Sequence, residues 1–273
     1  MRTYQETGPG EVDNLTTEGL RDRFLVTDPI GAGRVELAYT HHDRLIVGGV
    51  RTGAGDPVAL PNPLELRAEF FLERREAGVV NIGEPGTVTV DGVAFPLNRR
   101  ECLYVGRGAR EVTFAGDGAA YYLVSSRAHA SFPTRAASLD EAEPVRLGSA
   151  EESNQRTIYK YIHAGGIRSC ELVLGVTVLE PGSMWNTMPC HVHDRRTEIY
   201  FYFDLPADDR VVHLMGRPDA TRNLIVAPEQ AVISPPWSVH CGFGTRSYAF
   251  VWAMGGENQA YQDVEVVATR DLR

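Results

Sequence analysis

The segment from Ala77 to Val112, AGVVNIGEPGTVTVDGVAFPLNRRECLYVGRGAREV, alternates apolar and polar side chains, breaks at Gly83 to Gly86 and carries a hairpin signal at Asp91-Gly92. A period of two puts every second side chain on one face, which excludes a helix and commits this part of the chain to short, half-buried strands. Extended segments also run from Arg34 to Tyr39 and from Leu45 to Val50, after one short helix between Asn14 and Leu25 capped by Asn14 or Thr16. A second series occupies Thr157–His163, Cys170–Leu179, Glu198–Phe203, Arg210–Met215, Leu224–Val226, Ala231–Ser234 and Tyr248–Met254. Between the two series, Arg135 to Gln155 is polar, shows no strand period and reads as a connection. The expectation is a mostly β chain of two duplicated halves, 1–150 and 151–273, each a small antiparallel barrel or double-sheet roll with few short helices.

Composition narrows the function. With 273 residues and 43% hydrophobic content the chain can bury a sizeable core. A net charge of −9 without a basic stripe argues against nucleic acid. No run is long and apolar enough to span a membrane, and the opening MRTYQETGPG lacks the apolar core of a signal peptide, so the expected setting is the cytoplasm, away from membranes. Cys102, Cys170, Cys190 and Cys241 have no C-x-x-C spacing and read as buried free thiols. Lys160 is the only lysine, so Schiff-base chemistry has a single candidate, whereas the many arginines suit carboxylates.

The stretch NTMPCHVHDRRTEIYFYF, Asn186 to Phe203, concentrates the chemistry. On a strand, His191 and His193 point to the same side and offer two imidazoles to one point. Glu198 has the wrong parity for the same strand, but a turn at Asp194 to Arg196 can return it on a second strand. His240, after Pro235 and Pro236, and His213 in VVHLM are the candidates for a fourth donor. His213 shares its face with Val211 and Met215, which favours simple packing, so His240 is preferred. Cys190 and Cys241 each neighbour a candidate ligand in sequence and therefore point away from it on a strand.

H-x-H, a Glu after four intervening residues and a remote P-x-x-x-x-H together resemble the metal motifs of the cupin superfamily, although Trp185 and Trp237 stand where that pattern has glycines. The resemblance places His191, His193, Glu198 and His240 on its four ligand positions. GLRDRFLV, RLIVGGV, FFLERREAGVVNIG, LYVGRGAREV, WNTMPCHVHDRRTEIYFYF, EQAVISPPWSVH and WAMGGENQAYQD, in this order, resemble the 5-keto-4-deoxyuronate isomerase family. That resemblance implies a bicupin fold, one zinc ion per chain, a homohexamer, and a keto-deoxyuronate substrate from pectin and uronate breakdown. The donor set suits this chemistry, because a ketol isomerase moves a proton between adjacent carbons and a divalent metal stabilises the charge that develops. A closed structural zinc site, commonly cysteine-rich, is the blander alternative. Other readings are the related 5-deoxyglucuronate isomerase of inositol breakdown, a cupin dioxygenase holding iron, and a non-catalytic sugar-binding cupin.

A substrate carboxylate calls for a cation. Arg156 and Lys160 share one strand face with Ile158, and Arg195 and Arg222 are further candidates, each weighed against an ordinary surface role. Tyr200 shares its face with Glu198 and Tyr261 lies in a tail able to close over the site; these are the candidates for handling the proton, against a plain core role. The first half has no H-x-H, so no metal is expected there, and the adjacent His41 and His42 face opposite ways on a strand.

Overall fold

The computed structural model describes residues 1–273. The alternating segment folds as the strands Arg75–Asn81, Gly86–Val90, Val93–Leu97 and Cys102–Val105. Val90 pairs with Val93 across a two-residue turn in which Asp91 (φ 46°) and Gly92 (φ 81°) are both left-handed, the conformation for which Asp-Gly is suited. The remaining strands complete four sheets of eight, four, seven and five strands.

The two large sheets have the same plan. In the first half the order is Glu36–Thr40, Ile46–Arg51, Ala120–Arg127, Arg75–Asn81, Cys102–Val105; in the second it is Arg156–Ile162, Val173–Leu179, Ala249–Gly256, Arg196–Phe203, Ala231–Ser234. Strand for strand, these occupy equivalent places in the order of their own half, which is the topology of a duplicated unit. Each large sheet packs one face on a smaller sheet of its own half, and the remaining faces meet in a shared core holding Val80, Tyr122 and Val124 against Ile199, Phe201 and Val251. Tyr122 and Phe201 stack there with centroids 4.1 Å apart, an arrangement worth about 0.5–1.5 kcal/mol beyond area burial. Burial on both faces explains why Arg196–Phe203 and Ala249–Gly256 are buried at every position.

A buried carboxylate also joins the halves. Glu76 accepts hydrogen bonds from the backbone N–H of Cys170 (2.8 Å), Glu171 (2.9 Å) and Leu172 (3.0 Å) and from the Tyr104 hydroxyl (2.8 Å). All its capacity is used, so the charge is satisfied without a cation.

The structure departs from the sequence expectation at the junction. Arg135–Ala137 pairs with Cys102–Val105, and Val145–Leu147 pairs with Arg156–Ile162, so the supposed connection contains two edge strands. Three residues are too few to display a period. The helix is Thr17–Phe24, capped by Thr16, whose Oγ1 accepts the Gly19 N–H at 3.2 Å. Leu25–Val26 then pairs with Ala231–Ser234, so two segments before residue 150, this one and Val145–Leu147, belong to the large sheet of the second half. No helix is long and apolar enough to cross a membrane.

Candidate metal centre

The strand Trp185–Val192 ends beside the turn at Asp194 and Arg195, and Arg196–Phe203 returns antiparallel to its neighbours. Within that turn the Arg196 N–H donates to His193 O at 3.0 Å. The reversal corrects the parity of Glu198. His191 pairs directly with His240 across two strands, which brings their Nε2 atoms to 3.0 Å. Glu198 Oε2 lies 3.0 Å from His193 Nε2 and 2.7 Å from His240 Nε2. One donor atom from each of the four residues falls within 4.8 Å of all the others.

These donors fit a metal ion. The Nδ1–H of His193 donates to Arg196 O at 2.8 Å and that of His240 to Ser238 O at 3.1 Å, which fixes both rings with Nε2 turned inward as lone-pair donors. His193, His240 and Glu198 are buried, whereas His191 is half-buried. Burial pushes the Glu198 carboxyl up, but His240 and His193 overcome it and hold the group below its usual range as a carboxylate. Burial, with His240 adding to it, depresses His191 to about 3, so its ring is neutral. Three imidazoles and one carboxylate suit zinc, iron, manganese or nickel alike. Cys190 and Cys241 do face away, packing with Val239 in a separate small cluster.

A cavity of about 340 Å³ opens beside the donors, with His191 and Glu198 in its wall. Tyr200 reaches it from the Glu198 strand, its hydroxyl 3.0 Å from Thr187 Oγ1. Burial and the nearby Glu198 charge raise the Tyr200 pKa well above the ordinary phenol value. Arg156 lines the same cavity and is the one lysine or arginine there; its sole hydrogen bond donates Nη1 to Asn154 O at 2.9 Å. Tyr261 forms part of the opposite wall, with its ring 5.3 Å from that of Trp252.

The other sequence candidates lie elsewhere. Lys160 is outside the cavity lining, its Nζ 5.4 Å from the centre of the Tyr261 ring. Arg195 is engaged by Asp263 (3.0 and 2.7 Å) and Glu265 (3.2 Å) and does not line the cavity. Arg222 donates to Val12 O (2.7 Å) and Leu15 O (2.6 Å), fastening the N-terminal segment. Both therefore position chain segments. Arg196, expected within the turn, begins the following strand, is fully buried and donates to Ala260 O (2.8 Å) and Asp263 O (2.7 Å), holding the tail that carries Tyr261. His213 lies apart from the four donors, its Nδ1 2.7 Å from the Tyr202 hydroxyl.

Phe250, Trp252 and Met254 complete the wall. Their alternate spacing is visible in the sequence, but only the pairing of Met254 with Glu198 and Trp252 with Tyr200 shows that they face the donors. A Cβ at Gly175 would lie 2.1 Å from the Trp252 ring, so glycine there makes room for the indole.

Two stacked sheet pairs define a cupin-like fold, and the cluster of three histidines and one glutamate gives it a candidate metal site. A family model described as KduI/IolB matches residues 39–269, and the chain belongs to that family. It is 50% identical over the full length of both chains to the 4-deoxy-L-threo-5-hexosulose-uronate ketol-isomerase of Halalkalibacterium halodurans. It is likewise 50% identical, over all of both chains, to the protein of that name from Kineococcus radiotolerans. Among solved structures, an IolB-like protein from Salmonella typhimurium aligns over 89% of this chain and 96% of its own, with a TM-score of 0.73 at 14% identity. Oxalate decarboxylase from Bacillus subtilis, described with Mn(II) centres, aligns over 81% and 71% with a TM-score of 0.56 at 13% identity. At such identities the likeness concerns the fold.

Proposed function

We propose that the chain is a ketol isomerase that interconverts 5-dehydro-4-deoxy-D-glucuronate and 3-deoxy-D-glycero-2,5-hexodiulosonate in uronate breakdown, working in the cytoplasm as a homohexamer with one zinc ion per chain. The observation that carries this reading is the convergence of His191, His193, Glu198 and His240 on a cavity that also holds Arg156 without a carboxylate partner. The full-length relatives bearing the isomerase name support it.

In the reaction, hydroxyl and carbonyl exchange places on adjacent carbons while a proton leaves the hydroxyl-bearing carbon and reaches its neighbour; the formula is unchanged. His191, His193, Glu198 and His240 would hold a divalent ion, which when bound would stabilise negative charge developing during the reaction. The chain supplies the rest. Arg156 grips the substrate carboxylate through its free N–H groups and so sets which end of the sugar faces Glu198. Tyr200, kept protonated by burial and by Glu198, donates a hydrogen bond or a proton to oxygen at the reacting carbons. Tyr261 and Trp252 exclude water from that side, and Arg195 and Arg196 hold the tail in place.

The family also includes IolB, and the IolB-like fold makes the 5-deoxyglucuronate isomerase the second reading. Offering both substrates to the zinc-loaded protein and following products by NMR separates the two. Turnover of the hexosulose uronate alone is expected; turnover of 5-deoxyglucuronate alone would replace the first reading by the second.

A further inference from the structure

The first half carries a cavity of about 590 Å³, within the ~300–1,000 Å³ usual for small-molecule sites, which no part of the proposed reaction uses. Arg74, Arg75, Arg107 and Arg127 all line it, in a chain whose net charge is −9. Glu65 is the one carboxylate in its wall, and that group lies 3.4 Å from the Met1 amino group. From outside the lining, Glu171 lies 3.4 Å from Arg127 and Glu73 lies 3.7 Å from Arg74, whereas Arg75 and Arg107 have no carboxylate partner.

Three details show that this is a built arrangement. Arg75 and Arg127 are direct partners in the strand ladder, a register in which like charges repel. Arg75 is only 7% exposed, and its three hydrogen bonds go to neutral acceptors: Ser125 Oγ (3.0 Å), Ser125 O (3.0 Å) and Arg44 O (2.6 Å). Its Nη1 has no partner in the chain, and Arg127 Nε is buried without one. Burial lowers Arg75 to about 10, which still leaves it charged at neutral pH. Arg75 is thus a buried guanidinium set opposite Arg127 with no carboxylate of its own, since Glu171 sits on Arg127, and an anion bound there would offset that cost. Arg107 donates to Glu73 O (2.9 Å) and Ala128 O (3.3 Å), which fixes its fork at the wall.

The duplication gives the cavity its place. Arg75 begins its strand and pairs with the last residue of Ala120–Arg127, just as Arg196 begins its strand and pairs with the last residue of Ala249–Gly256. Ala77 pairs with Val105 at the end of Cys102–Val105, the position at which Glu198 pairs with Ser234. The cavity thus lies at the same end of its sheet as the metal centre, with an alanine at the position of the acidic donor and arginines around it. Tyr39, Leu66 and Phe71 add apolar surface.

We infer that the mouth of the first half is a second ligand site, which binds a small organic anion through carboxylate or phosphate oxygens held by Arg74, Arg75, Arg107 and Arg127. The apolar wall accommodates the carbon skeleton, and paired guanidinium forks recognise the planar or tetrahedral oxyanion. This site is independent of the isomerase reading.

Calorimetric titration of the full chain carrying His240→Ala and Arg156→Ala, which removes a metal donor and the carboxylate grip of the other site, tests the inference with inorganic phosphate, citrate and glucuronate as probes in 0.15 M salt. One saturable site per chain for at least one probe is expected, weakened at least tenfold by Arg74→Gln with Arg127→Gln. Binding of phosphate but not the carboxylates assigns a phosphorylated ligand, and the reverse assigns a carboxylate. Phenylglyoxal modification of the unsubstituted protein gives a measurement that does not depend on variants folding: the bound probe should protect these arginines, as mapped by mass spectrometry. Absence of saturable binding by all three probes, equal binding by the double variant, or protection confined to other arginines overturns the inference. So does dissociation of an oligomer by the double variant without any anion binding, which would make the cavity a subunit contact.

Discussion

Replacing Arg156 by Ala removes the one lysine or arginine lining the metal-site cavity. Its single hydrogen bond in the chain uses Nη1, to Asn154 O at 2.9 Å, and leaves enough N–H groups for a two-point grip on a carboxylate. Two charge-assisted bonds contribute about 1.5–3 kcal/mol each in a protected site. Water in an open cavity reduces this, so a net loss of about 2–4 kcal/mol is expected, or roughly 30- to 1,000-fold in kcat/KM at 1.4 kcal/mol per tenfold. Stability should change by only about 1 kcal/mol, the worth of the bond to Asn154. Steady-state kinetics on the hexosulose uronate, with bound metal assayed in parallel, measures the effect. Arg156→Lys should recover part of the loss, since an ammonium supplies charge without the fork. A loss below about threefold with metal content unchanged would refute the assignment of the carboxylate to Arg156.

Four other perturbations probe separate links. Tyr200→Phe should lower kcat by roughly 10- to 100-fold with little change in metal content, because it removes a proton-bearing hydroxyl and leaves the ring in place. Glu76→Gln turns an acceptor of four hydrogen bonds into a group that must present an N–H to donors; a loss of about 3 kcal/mol in urea unfolding is expected. Gly175→Ala should displace Trp252, read as a change in tryptophan fluorescence together with reduced turnover. Burial depresses His213 to about 3 from an ordinary 6.5, so between these values the unfolded chain binds a proton that the folded chain does not. Stability of the metal-free protein should therefore fall as pH drops below 6.5, with about 2 kcal/mol from this group by pH 5, and His213→Asn should remove that share while the part due to His191 remains.

How much the sequence revealed depended on the range of the interaction. The strand Arg75–Asn81 and its neighbours were visible because period and turn chemistry are local, and Asp91-Gly92 made the hairpin that its residue types require. The four donors were also legible, since parity on strands and a turn at Asp194–Arg195 suffice to bring His191, His193 and Glu198 together. Pairings between distant segments were not. Leu25–Val26 joining the second half leaves no local signature, and Val145–Leu147 is too short to show one. Arginines illustrate the same limit. Arg156 and Arg195 look alike in sequence, yet only the latter meets Asp263, a partner 68 residues away.

The central claim is that the four-donor cluster holds a metal required for isomerisation. Elemental analysis of the purified chain and of its His240→Ala variant, each assayed for conversion of the hexosulose uronate, tests it most directly. About one divalent ion per chain with turnover is expected in the parent, and loss of both together in the variant. Full turnover by a metal-free His240→Ala protein would contradict it.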